Sequence, residues 1–164
     1  MPKFSLKLAL IDYIPNAAFG ASMILLGSAM PGGLAKVIFL IGAFVSLVSG
    51  IMKATWKLCI AAWKKDIARL NYKFFARLMA GFVLMLAGLA LGLVCGDISF
   101  SLAAAAALSA PAVYFLAGAA ICLALNFVYK KTKFVDDSER SNMKAELLNS
   151  LAQLLLLLAI IFAM

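Results

Sequence analysis

Long apolar stretches alternate with short polar breaks along this chain. The stretches cover about 8–30, 34–56, 74–95, 100–128 and 145–164. A helix needs about 20 apolar residues to cross a hydrocarbon core about 30 Å thick, and each stretch is near or above that length. None keeps the polar face that a helix of a soluble bundle requires. The pattern therefore predicts an all-α integral membrane protein, a single transmembrane domain over 1–164 with five membrane-spanning helices. The second helix is expected to run on past Trp56 toward Asp66.

The polar breaks differ in kind. Of the 15 Lys and Arg residues, all but Lys36 fall before the first stretch or in and beside the breaks between the second and third and between the fourth and fifth. The breaks at 31–33 and 96–99 carry neither Lys nor Arg. Basic residues accumulate on the cytoplasmic side of multi-span proteins. This distribution predicts a cytoplasmic N-terminus and an outside C-terminus. Lys36, one turn into the second helix, is expected to snorkel to the headgroups. A bacterial cytoplasmic membrane is the expected location.

Composition agrees with that class. Hydrophobic residues make up 66% of the chain, charged residues 13%, and the mean hydropathy is +1.06. Soluble domains are about half apolar and a quarter charged. The net charge of +8 is then a topology signal that meets anionic headgroups at the cytoplasmic leaflet. Nucleic acid is not an expected partner, because no loop is long enough to form a domain. The first stretch reads as a retained span: a cut after the small residues ending at Met30 would leave Pro31 at the new terminus.

The inventory of reactive groups is thin. Histidine is absent, which removes the commonest general base and metal ligand together. Cys59, Cys95 and Cys122 fall at different depths, so no disulfide is expected. There is no thiol motif, phosphate-cradling glycine loop or carboxylate cluster. No enzymatic activity, cofactor or metal is expected. Lys53, Lys57, Lys64, Lys65, Arg69, Lys73 and Arg77 face one acid, Asp66, across the first basic connection. That is a lipid-headgroup contact or, alternatively, a docking surface for an acidic partner.

Local signals mark the helix ends. Pro31, Gly32 and Gly33 make a tight turn. Asp97 or Ser99 offers a cap for the fourth helix, and Asp136, Asp137 and Ser138 offer one for the fifth. The fourth stretch is too long for one bilayer crossing, so it must tilt, extend outward or break, and Pro111 is the break point. The alanine run at 103–107 is helix-prone but weakly apolar. Gly20 and Gly27 have the same spacing as Gly81 and Gly88, a weak repeat consistent with two parallel hairpins plus one helix.

Small residues recur at i+4 in three helices: Gly42, Ser46, Gly50 and Ala54; Gly88, Gly92 and Gly96; and Tyr114, Gly118, Cys122 and Asn126. Such stripes let helix backbones approach closely, within one bundle or between copies. The strongly polar intramembrane residues all fall toward the basic side. They are Asp12 and Asn16, Lys53 and Thr55, Arg77, Asn126, and Glu146, Asn149, Ser150 and Gln153. On the fifth helix the four polar residues occupy one face, which should meet protein or water rather than lipid. One reading is interhelical hydrogen bonding. The other is a cytoplasm-facing polar cavity, in which Asp12 or Glu146 pairs with Lys53 or Arg77 and the amides bind a ligand. The leading functional expectation is a non-enzymatic subunit, scaffold or homo-oligomer of a membrane complex. The alternative is a small-solute or lipid transporter or binder using that cavity.

Overall fold

The computed structural model describes residues 5–96, 98–131 and 139–164, and these are all-helical. The elements are α1 (Leu6–Ile11), α2 (Tyr13–Ala29), α3 (Leu34–Trp63), α4 (Ala68–Asn71), α5 (Phe74–Val94), α6 (Phe100–Leu108), α7 (Ala112–Lys131) and α8 (Glu139–Ala163). Five helical segments are long and apolar enough to cross a membrane: Leu6–Ala29, Leu34–Trp63, Ala68–Val94, Ala112–Tyr129 and Asn142–Ala163. Asp97, Asp136, Asp137 and Ser138, which the sequence offers as caps, lie outside the described residues.

The helix ends follow from local chemistry. Pro15 has no N–H for the Ile11 carbonyl and its ring crowds it, so the first segment breaks at Asp12 between α1 and α2. Before Pro31, Met30 is held extended (φ −63°, ψ 144°) and α2 stops. Lys36 is not simply snorkelled outward. Its Nζ donates to the carbonyls of Ser28 (2.7 Å) and Met30 (3.1 Å), placing a cation on the otherwise unpaired C-terminus of α2. At the other end, α3 stops at Trp63. Lys64 turns left-handed (φ 52°), and the amides of Lys64 and Lys65 fold back onto Ile60 and Cys59. Trp56 Nε1 then donates to Asp66 Oδ1 at 2.9 Å, tying the connection to the helix. The fourth stretch divides at Pro111, which separates α6 from α7.

In space the main segments form a row: α5 on α3, α3 on α2, α2 on α8, and α8 on α7. Among the described residues, no extensive interface joins α5 to α7, the two ends of the row. One end of the bundle carries α1, the 64–73 connection and the start of α8. It is called the basic end below. The opposite end, with the 31–33 break, is the turn end.

The α3–α5 contact is the most extensive and the closest. A Cβ placed on Gly42 would lie 2.6 Å from the Gly81 carbonyl oxygen and 2.7 Å from the Met85 nitrogen. One on Gly88 would lie 2.7 Å from the Phe39 nitrogen and 2.8 Å from the Ala35 oxygen. Backbone meets backbone along this seam, and Phe39, Ala43 and Met85 fill the core beside it. The i+4 stripe on α3 is therefore divided: Gly42 and Ser46 serve α5, while Gly50 lies against the Asn16 side chain of α2. On α5 the buried stripe is Gly81, Met85, Gly88 and Gly92. Gly96 lies beyond the helix at φ +74° with open space around it.

The α7–α8 seam is built differently. Ala112, Ala119 and Asn126 are buried on α7 at heptad spacing, and Ala145, Ala152 and Ala159 on α8. Gly118 faces Leu155, and Phe115 stacks on Phe162 with centroids 5.4 Å apart. Tyr114, on the stripe read from sequence, points outward. Gly42→Leu and Gly81→Leu are therefore expected to destabilise the fold by at least the ~1–3 kcal/mol typical of overpacking, because backbone cannot move aside. Gly118→Ala, which meets only the tip of Leu155, should cost far less. Thermal unfolding in detergent checks this, and equal midpoints for all three would rule out the backbone contact.

Candidate functional site

The helix break at Asp12 sets up the polar cluster at the basic end. Lys57 Nζ, from the last turns of α3, lies 3.0 Å from Asp12 Oδ1 and 3.7 Å from Glu146 Oε1 of α8. One ammonium thus joins the first, second and fifth apolar segments. The three side chains are only 7%, 11% and 20% exposed for Asp12, Lys57 and Glu146. Lys57 thus meets two carboxylates in a place largely withdrawn from solvent. Asp12 Oδ2 is buried without a hydrogen-bond partner.

Neighbouring groups complete the cluster. Asn16 Nδ2 donates to the Asp12 carbonyl at 2.6 Å, one turn back along α2. Tyr13 Oη donates to Thr55 Oγ1 at 2.8 Å, and Thr55 in turn donates to the Ile51 carbonyl. On α8, Ser150 is buried and donates to the Glu146 carbonyl at 2.7 Å. The antiparallel register fixed by Gly118 with Leu155 and Phe115 with Phe162 sets Asn126 beside the same part of α8. Asn126 is 6% exposed, and its Oδ1 has no partner. Further along α8, Gln153 Oε1 is also buried and unpaired. Asn149 is half-buried on that helix.

The two cations named from sequence for this cluster make contacts with neighbouring elements as well. Lys53 lies over the Phe74 ring, 4.3 Å from its centroid. Arg77 donates to the Leu70 carbonyl (3.0 Å) and the Met52 sulfur (3.6 Å), fastening α5 to the connection before it. Lys57, which the sequence places in the basic connection, meets both Asp12 and Glu146. Its signal was present: Lys57 continues the Gly50 and Ala54 face of α3 by one further helical step, and that face is turned to α2. Arg77 instead lies on α5, on the far flank of α3.

At the turn end lies a chamber of about 580 Å³ that no polar signal announced. Leu26 and Met30 of α2, Leu89 of α5, Leu116 of α7 and Ala159 of α8 contribute to its wall. Ala106 and Ala107 of α6 close it from above, which gives the alanine run a place in the fold. Ser99 brings the one hydroxyl of the lining. Among the described residues, no group of three or more Cys, Asp or Glu side chains is placed to hold a metal. Cys59 and Cys122 are buried and Cys95 exposed, all as free thiols. The chain matches no family model, no curated protein and no solved structure.

Removing the shared cation separates its role from that of its neighbours. Lys57→Gln leaves two buried carboxylates facing each other, and breaking such a pair costs about 3–5 kcal/mol. Gly118→Ala, which meets only the tip of Leu155 far from this cluster, is the reference substitution. The Lys57 variant should show the larger fall in thermal unfolding midpoint, and adding Asp12→Asn should recover part of it. A fall for Lys57→Gln no larger than that for Gly118→Ala, or no recovery on adding Asp12→Asn, would remove Lys57 from its place as the joint.

Proposed function

We propose that this chain is a five-span membrane protein with its N-terminus and both basic connections in the cytoplasm and its C-terminus outside. Within that membrane it acts as a non-enzymatic component of a larger assembly, as a subunit or as a self-associating scaffold. The observation that carries this reading is the open row of helices. The most apolar windows of the last three spans are only 22% buried within the chain, against 39% for the first two. The α5 segment packs chiefly against α3, and α7 against α8. Leu86 and Val83 on α5, and Ile121 and Phe127 on α7, are turned outward. Helix association in lipid depends on close packing rather than on hydrophobic force, so such flanks are available to another helix surface. The basic connections favour anionic headgroups at the cytoplasmic leaflet.

A second reading is favoured by one specific observation. Asp12 Oδ2 and Asn126 Oδ1 are buried acceptors without partners at the basic end. Unsatisfied buried acceptors are costly, and a donor-bearing solute entering from the cytoplasm would satisfy them. In that reading the cluster around Lys57 is a binding site.

Topology is tested with a native thiol. Cys95 is exposed at the turn end, while Cys59 and Cys122 are buried. A membrane-impermeant maleimide added to intact cells should label Cys95. Labelling only after permeabilisation would invert the proposed orientation. Assembly is tested by placing cysteine at Leu86 or Ile121 in a Cys95→Ser background and oxidising native membranes. Cross-linked species of fixed stoichiometry are expected, and exclusively monomeric chain at both positions would overturn the assembly reading.

A further inference from the structure

We propose that the chamber at the turn end is a binding site for one phospholipid, with an acyl chain inside it and the phosphate at Lys36. This goes beyond the assembly role and uses neither the outward flanks nor the polar cluster.

Three observations define the ligand class. The first is chemical: apart from Ser99, the lining consists of aliphatic side chains, methionine, alanine and proline. A polar solute there would lose its hydrogen bonds to water without replacement. The second is shape. The space is about 580 Å³, walled by residues of several helices and open on one side. The chamber is also confined to one end of the bundle: Leu26 and Met30 lie in the last turns of α2, and Ala159 and Ala163 in the last turns of α8. A short space at one end of the bundle suits a narrow hydrocarbon chain better than the length of a partner helix. Because α5 and α7 share no extensive interface among the described residues, such a chain has a lateral way in between Leu89 and Leu116.

The third observation is charge. Lys36 Nζ is 3.1 Å from the carbonyl of Met30, itself a wall residue. It is the one basic residue near the 31–33 and 96–99 breaks, one turn into α3. An ammonium has three donors. Two reach the Ser28 and Met30 carbonyls, and the third remains for a phosphate oxygen at the rim. The alanines at 106, 107, 159 and 163 keep the walls thin, so adding side-chain bulk there shortens the chamber without touching the α3–α5 seam.

The test is native mass spectrometry of the full chain released from mild detergent, after incubation with dioleoyl phosphatidylglycerol or with dioleoylglycerol, which lacks the phosphate. One phosphatidylglycerol per chain should be retained, at least tenfold over dioleoylglycerol. Ala107→Leu and Ala163→Leu should each cut that retention at least tenfold. Leu86→Ala, on the outward face of α5, should leave it unchanged. Lys36→Gln should reduce phosphatidylglycerol retention about fivefold and leave dioleoylglycerol as it was. Unfolding midpoints taken in parallel identify a variant that fails to fold, and the other alanine variant then carries the result. Undiminished retention in the folded variants overturns the site. Equal retention of the two probes overturns the phosphate contact. A dimer abolished by the alanine substitutions would assign the chamber to a second copy instead.

Discussion

The close approach of α3 and α5 is the constraint on which the rest of the bundle depends. Where Gly42 meets the Gly81 carbonyl and Gly88 meets the backbone at Phe39, no side chain intervenes. Dispersion contacts fall off over fractions of an ångström, so a seam of this kind is strong only while both backbones stay in contact. That fixes α3 against one neighbour and leaves its other flank for α2. There Gly20 and Gly27 accept Leu47, Leu40 and Phe39 as side chains entering a gap. The similar spacing of Gly20–Gly27 and Gly81–Gly88 has a physical cause in this arrangement: both pairs clear room for the same central helix from opposite sides.

Polarity divides the molecule lengthwise. At the basic end, ionic and hydroxyl groups join segments whose small-residue contacts have run out. Lys57 bridges Asp12 and Glu146, and Tyr13 reaches Thr55. At the turn end, apolar side chains surround a chamber instead of closing on one another. The two ends therefore offer different chemistries within one short chain. The turn end has a described space large enough for a ligand chain.

Much of this architecture was legible in the sequence. Apolar length gave the five segments, Pro111 gave the division between α6 and α7, and the small residues of α3 marked a face of close helix approach. What stayed hidden required knowledge of which helices adjoin. Lys57 sits among Lys53, Lys64 and Lys65 as one more loop-side cation until the face of α3 toward α2 is known. The Ala112, Ala119 and Asn126 face was masked by the glycine-based stripe one helical step away, because alanine is common in every apolar helix. The chamber had no signal of its own, since its lining comes from segments distant in sequence and has the composition of ordinary span.

The shared cation also bears on how such a chain is made. On the proposed topology, synthesis delivers Asp12 to the membrane well ahead of Lys57, and Glu146 much later. An isolated first segment would carry an unneutralised carboxylate into hydrocarbon, which disfavours its settling there alone. Arrival of the second segment supplies the counter-charge, so the first two segments gain by entering as a hairpin. The fifth can then lock onto a partner that is already seated.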